Sequence, residues 1–233
     1  MGRPLEDAEI QRLVIDLLKN PSERDQQKLI GPSEIGNPCL YCLANRLMQT
    51  PKATSRYWLG ARIGTAIHEA LQEQGEKYKD GTDDYHFAAL EDALLEQKFP
   101  LGTLDGYGTI NLKPDLVLTK HNHLVDYKTS TQKKIPYYKL NGVPYQYVIQ
   151  QQLYAWGLNK NGIKVERISL AFINRDGQGD GDFWVHSFNY DETVAVEAWY
   201  RLENVWKWLQ QGGNVDDLAS DENCFYCNQI LRR

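Results

Sequence analysis

Asn111-Leu-Lys-Pro-Asp115-Leu-Val-Leu-Thr-Lys120-His-Asn-His-Leu-Val125-Asp-Tyr-Lys128-Thr-Ser130 is the stretch on which the fold turns. Leu116, Val117 and Leu118 form one apolar run, and Leu124 and Val125 form a second. The polar Lys120-His-Asn-His123 between them has the length of a hairpin connection. Successive side chains of a strand alternate faces, so Asp126 and Lys128 project to the same side. Asp115, just before the first strand, falls close to Asp126 once the two strands pair. Two carboxylates and a lysine converging in a half-buried patch are costly, because buried charges need partners. A divalent cation between the carboxylates removes that cost. It also gives Lys128 a task, to hold or polarise a water or a phosphate oxygen. Taken alone, an Asp-x-Lys pair of this kind also suits an ordinary solvated strand face, so the rest of the chain has to decide.

The chain has 233 residues, of which 42% are hydrophobic, enough for one substantial α/β core. The expectation is a single domain over residues 1–233. No run approaches the ~20 apolar residues of a membrane span. The first residues, Met1-Gly-Arg-Pro-Leu-Glu-Asp7, carry no apolar signal core, which places the protein in a cytoplasm. A net charge of -5 argues against coating nucleic acid by charge alone. A local basic strip is a different matter. Lys128, Lys133, Lys134 and Lys139, with Tyr137 and Tyr138 among them, read either as a polar loop or as a surface for single-stranded bases.

The flanking segments alternate between helix and strand. Residues 5–19 and 57–78 read as amphipathic helices, the second with Leu59, Ile63, Ile67, Ala70 and Leu71 on its apolar face. Between them a helix starts at Ser33 or after Pro38 and carries Ala44, Leu47 and Met48. Residues 88–95 read as a short helix or a helix-to-strand transition, and 129–144 as a polar connection. A helix from Tyr145 puts Gln150 and Tyr154 on one face. Two strands, 165–173 and 183–188, flank a Gly/Asp-rich loop that lacks the twelfth-position Glu of a calcium loop. Asp191 caps a last helix with the core stripe Ala195, Trp199, Leu202, Trp206 and Leu209. The pattern is that of a mixed sheet flanked by helices.

The four cysteines form two pairs, Cys39-x-x-Cys42 and Cys224-x-x-Cys227. Each pair has the bite of a metal ligand pair, and in a reducing compartment disulfides are not expected. A shared centre would clasp segment 30–50 to segment 212–233 and make folding metal-dependent. Zinc and a [4Fe-4S] cluster both take four thiolates, and spacing does not choose between them.

Read in order, these features are a cysteine near the N-terminus, Gly64-x-x-x-His68, Glu96, Pro114-Asp115, Asp126-x-Lys128, Gln150-x-x-x-Tyr154 and Cys224-x-x-Cys227. The order resembles the RecB-type branch of the PD-(D/E)XK nucleases. It is most similar to the iron–sulfur exonucleases of CRISPR adaptation and their bacteriophage relatives, whose opening Ile30-Gly-Pro-Ser-Glu-Ile-Gly-Asn-Pro-Cys39 also resembles. The resemblance spans roughly residues 30–227. It implies a restriction-endonuclease-like core and a DNA exonuclease serving phage or prokaryotic recombination, replication or DNA processing. It implies Mg²⁺ or Mn²⁺ on His68, Asp115, Asp126 and the Tyr127 carbonyl, with Lys128 orienting the water. Gln150 and Tyr154 would contact DNA or support Lys128. Glu96 matches an acidic position of less defined role. Cys39, Cys42, Cys224 and Cys227 would hold a [4Fe-4S] cluster, with Zn²⁺ as the alternative. The families usually supply one upstream and three downstream cysteines, whereas this chain divides them two and two. The implied partner is DNA, single-stranded or at duplex ends, with no membrane, and a homo-oligomer or a recombination protein is compatible. The competing reading is a nuclease fold without catalysis, a DNA-binding or assembly protein with a structural zinc.

Overall fold

The computed structural model describes residues 7–19, 29–49, 58–79 and 90–218, with Ser220, Asp221, Cys224 and Cys227. Leu5, Asn20-Pro21, Tyr57, the loop at 80–84 and Ala88 lie outside the described residues. The helices are α1 (Asp7–Lys19), α2 (Pro32–Ile35), α3 (Leu40–Leu47), α4 (Trp58–Lys79), α5 (Lys134–Asn141), α6 (Tyr145–Lys160) and α7 (Glu192–Gln210). The strands are β1 (Leu94–Leu95), β2 (Phe99–Leu104), β3 (Gly108–Leu112), β4 (Leu116–Leu118), β5 (His123–Ser130), β6 (Arg167–Asn174) and β7 (Phe183–Asn189).

The expected hairpin is present. β4 and β5 pair antiparallel, with Leu116 opposite Val125 and Leu118 opposite His123. A short 3₁₀ turn, Thr119–His121, joins them, and Asn122 closes it at φ 50°. A short polar side chain tolerates that left-handed conformation. The hairpin sits inside a five-stranded sheet of order β1-β4-β5-β6-β7. β5 and β6 run parallel and the remaining pairs antiparallel. A parallel pair needs a long crossover, and α5 and α6 supply it. This is the mixed, helix-flanked sheet expected of a restriction-endonuclease-like core.

The main core lies between the sheet and α6, with α7 behind. Leu124 and Ile168 from the sheet meet Ile149, Leu153 and Tyr154 of α6, and Ala195, Trp199 and Leu202 of α7 complete the cluster. Asp191 caps α7, its side chain accepting the Thr193 N–H at 2.9 Å. β2 and β3 form a separate two-stranded hairpin that packs on α6. Gly157 permits that approach: a Cβ there would lie 2.1 Å from Leu112 Cδ2.

Three expectations are corrected. On α4, Leu59 and Ile63 are exposed. The side turned to the sheet is instead the Gly60-Gly64-His68 side, where a Cβ on Gly64 would stand 3.0 Å from Thr129 Oγ1. Segment 129–144 is not a plain connection: β5 continues to Ser130 and α5 follows. Ile135 and Tyr138, three residues apart, anchor α5 on Leu170 and Phe172, a pair too short to outweigh the surrounding lysines in a sequence reading. Met48 lies past the end of α3 and is exposed, so Ala44 and Leu47 alone carry that stripe inward.

Candidate active site and cysteine clasp

The site gathers at the point where β5, α4 and α6 meet. Asp115 lies between β3 and β4, only 4% exposed, and Asp126 on β5 is 2% exposed. Asp115 Oδ2 accepts the Tyr127 backbone N–H at 2.7 Å. Its Oδ1 lies 3.2 Å from Nδ1 of His68, which α4 carries across the sheet face. The His68 ring stands edge-on to Tyr127, 5.9 Å between centroids. Burial opposes the charge on Asp115, but His68, Lys128 and the Tyr127 N–H outweigh it and hold the carboxyl below its usual range.

Asp126 has the opposite balance. Burial dominates, the nearby Asp115 charge adds to it, and Lys128 compensates only in part, so its pKa is pushed up to about 6. Its Oδ2 pairs with Lys128 Nζ at 2.5 Å. Its Oδ1 accepts from Gln151 Nε2 at 2.7 Å. Lys128 also donates to Gln150 Oε1 at 3.2 Å and stands 5.1 Å over the Tyr147 ring. Gln150 Nε2 in turn reaches Tyr154 O–H at 3.4 Å. Gln150 thus touches Lys128 directly, and Tyr154 is linked to it through Gln150.

The donor atoms of His68, Glu96 and Asp115 lie within 4.8 Å of one another. An imidazole nitrogen and two carboxylates in a partly buried pocket suit a hard or borderline divalent cation. Glu96 is the member with the weakest signal in the sequence. It is brought in by an unusual backbone: φ is 49°, and its N–H donates to the Asp115 carbonyl at 3.2 Å. A left-handed glutamate is strained and persists only where its surroundings fix it. Lys113 Nζ lies 2.6 Å from its Oε2. Gln151, fully buried beside Asp126, was not legible as a site residue. In the sequence it is one of three consecutive glutamines with no spacing to mark it.

The four cysteines come together, all buried, from opposite ends of the chain. Sγ atoms of Cys39 and Cys227 lie 3.5 Å apart, those of Cys42 and Cys224 3.6 Å, and those of Cys42 and Cys227 3.3 Å. Asn37 braces the group, accepting the Cys39 N–H at 3.0 Å and placing Nδ2 3.8 Å from Cys224 Sγ. Arg201 of α7 donates to the Ile35 and Asn37 carbonyls, fixing this segment to the core. Burial, then the Cys227 and Cys224 sulfurs, push the Cys42 thiol above its ordinary range. Four thiols so close cannot all ionise without a cation among them.

No helix among the described residues is long and apolar enough to cross a membrane. No protein-family model and no curated protein matches the sequence. Solved structures give remote likenesses. An alkaline exonuclease from Laribacter hongkongensis is 12% identical, over 86% of this chain and 95% of that one, with a TM-score of 0.45. The same exonuclease in complex with dAMP gives 13% identity, 78% and 91% coverage and a TM-score of 0.41. A phage-related exonuclease from Haemophilus somnus 129PT gives 13% identity, 90% and 89% coverage and a TM-score of 0.42.

Proposed function

We propose that this chain is a metal-dependent deoxyribonuclease of the RecB-like PD-(D/E)XK type, hydrolysing phosphodiester bonds as an exonuclease. The observation that carries the reading is the convergence of His68 from α4, Glu96 and Asp115 from the segments beside β1 and β4, and Asp126 and Lys128 from β5 on one largely buried corner of the sheet. No structural need explains so much charge in one place.

His68, Glu96 and Asp115, with Asp126 beside them, would hold Mg²⁺ or Mn²⁺. Such an ion, when bound, polarises a phosphodiester and acidifies water. The chain's own residues do the rest. Asp115 keeps its charge through the His68 contact and the Tyr127 N–H. Lys128, steadied by Gln150, presents a cation where phosphate charge develops during hydrolysis. Gln151 fixes the rotamer of Asp126, so that the carboxylate needs little reorganisation when substrate arrives.

For the clasp, the sulfur spacing favours one ion. Four thiolates around Zn²⁺ at ~2.3 Å stand about 3.8 Å apart in a tetrahedron. The observed separations, 3.3 to 3.6 Å for three pairs, fit that size. A four-iron cluster interposes its own cage of iron and sulfide and needs the sulfurs farther apart.

The test is hydrolysis of end-labelled single-stranded and duplex DNA with Mg²⁺ or Mn²⁺. Wild-type protein should release nucleotides, and Asp126→Ala and Lys128→Ala should lose all but a small fraction of that activity. Metal-independent DNA binding without cleavage would instead support a non-catalytic DNA-binding protein.

A further inference from the structure

Between Asp126 and Glu166 the sequence contains no acidic residue, although the chain as a whole has 31. The same interval, 127–165, holds six lysines: Lys128, Lys133, Lys134, Lys139, Lys160 and Lys164. At the average density of acids, about five would be expected there. A net-acidic protein has therefore cleared one segment of negative charge, and that segment begins at the site.

Its outward surface is α5 and the start of α6. Ile135 and Tyr138 hold α5 down on Phe172. The opposite side carries Lys133, Lys134, Tyr137 and Leu140, all exposed, Tyr137 by 61% and Leu140 by 85%. Tyr145, 59% exposed, follows at the first position of α6. Tyr147 links this surface to the site, with Lys128 Nζ 5.1 Å over its ring. Acids at its margins do reach it: Asp126 meets Lys128 and Gln151, Glu166 pairs with Lys164, and the Asp176 carboxylate accepts the Gln132 N–H at 3.3 Å.

We propose that α5 and the N-terminus of α6 form a stacking platform for an unpaired DNA strand. Tyr137 and Tyr145 receive bases, Leu140 fills between them, and Lys133, Lys134 and Lys139 follow the phosphates. The inference rests on the nuclease reading and deepens it by naming the substrate form, a single-stranded end led toward Lys128. Exposed aromatics among lysines, with acids excluded, match what a flexible polyanion with bare base faces requires. A duplex hides those base faces and would gain only from the lysines.

The experiment is fluorescence anisotropy in EDTA, which blocks hydrolysis. The probes are an oligo-dT of about 20 nucleotides, longer than the ~4–16 that a single-strand site covers, and a blunt duplex of the same length. The variants are Tyr137→Ala/Tyr145→Ala and Tyr137→Phe/Tyr145→Phe. Both side chains are exposed, so circular dichroism should show an unchanged fold. The Ala pair should weaken oligo-dT binding by about tenfold or more, leave duplex binding within about twofold, and be rescued by the Phe pair. Three results overturn the proposal: no wild-type binding to oligo-dT, equal weakening for both probes, or an Ala pair that binds like wild type. A wild type that elutes as a dimer and an Ala pair that elutes as a monomer overturns it too, by making the surface a self-contact. The nuclease reading is tested apart, by hydrolysis with Lys128→Ala. If that variant cleaves like wild type, the site falls, and with it the link between platform and site, whatever the anisotropy shows.

Discussion

His68 and Asp115 meet at 3.2 Å, Nδ1 to Oδ1, although 46 residues, strands β1 to β3 among them, lie between the two in the chain. The contact ties α4 to the sheet and gives Asp115 a cationic or hydrogen-bonding neighbour that a lone buried carboxylate would lack. If both are cation ligands, His68→Ala should cost metal more than structure. Thermal melts should show the Mg²⁺- or Mn²⁺-induced rise in Tm lost in the variant. A shift equal to that of wild type would take His68 out of the ligand set.

Gln150 positions Lys128, so its removal should be milder than removal of the lysine. Lys128→Ala is expected to lower kcat by roughly 10²–10³ as an electrostatic group at the transition state. Gln150→Ala is expected to lower it by about tenfold with KM little changed, because the ammonium remains but is less well held. Single-turnover kinetics on end-labelled DNA separate the two. Equal losses would make Gln150 a direct participant.

The raised pKa of Asp126 gives metal-free stability a direction with pH. Its folded value is about 6 against an ordinary 3.8. A carboxyl that holds its proton more tightly when folded stabilises the fold fully below the ordinary value, and that stability is lost as pH rises through about 6. The loss is at most about 3 kcal/mol. Asp115 is shifted the other way and matters only below the ordinary carboxylate range. In EDTA, the Tm difference between wild type and Asp126→Asn should therefore change from pH 4 to pH 7, wild type losing relative stability. A constant difference would show that folding does not raise the pKa of Asp126.

The cysteine clasp should hold one zinc. Protein purified anaerobically should be colourless, with one zinc per chain by elemental analysis. A strong chelator should lower apparent stability by about 4 kcal/mol where the ion was present at 1,000 times its Kd. Cys42→Ser should mimic the chelator. A brown protein with broad visible absorption would establish an iron–sulfur cluster instead.

Gly157→Ala tests the packing of α6 on the β2–β3 hairpin. The added methyl meets Leu112 and Leu101, both fully buried. Overpacking of this kind should cost about 1–3 kcal/mol, read as a lower midpoint in urea with an unchanged m-value.

Much of this was legible because the signals were local or strongly periodic. The β4–β5 hairpin declared itself through two apolar runs and a polar turn, and α7 through its Asp191 cap and apolar stripe. The paired cysteines announced a shared centre by spacing alone. What stayed hidden depended on the far side of a contact. Leu59 and Ile63 looked like a core stripe, but glycines let α4 approach the sheet on another side, and a missing side chain leaves no mark in a periodicity. Glu96 stood in the ordered motif without a defined role, and what brings its carboxylate near His68 and Asp115 is one left-handed residue that no local pattern marks. α5 was masked by its own lysines, since only Ile135 and Tyr138 bind it to the sheet.

Three adjacent glutamines on α6 each hold a different part of the molecule. Gln150 takes Lys128, Gln151 takes Asp126, and Gln152 bridges the Asn189 carbonyl and the Asp191 N–H. Neighbouring side chains on a helix point about 100° apart. Loss of one residue earlier in α6 would turn all three at once, detaching the lysine, the carboxylate and the start of α7 together. Point substitutions in that turn can be absorbed one at a time, but a change in its length cannot. The first half of α6 is thus a segment in which variation by insertion or deletion is closed, even where variation by replacement remains open.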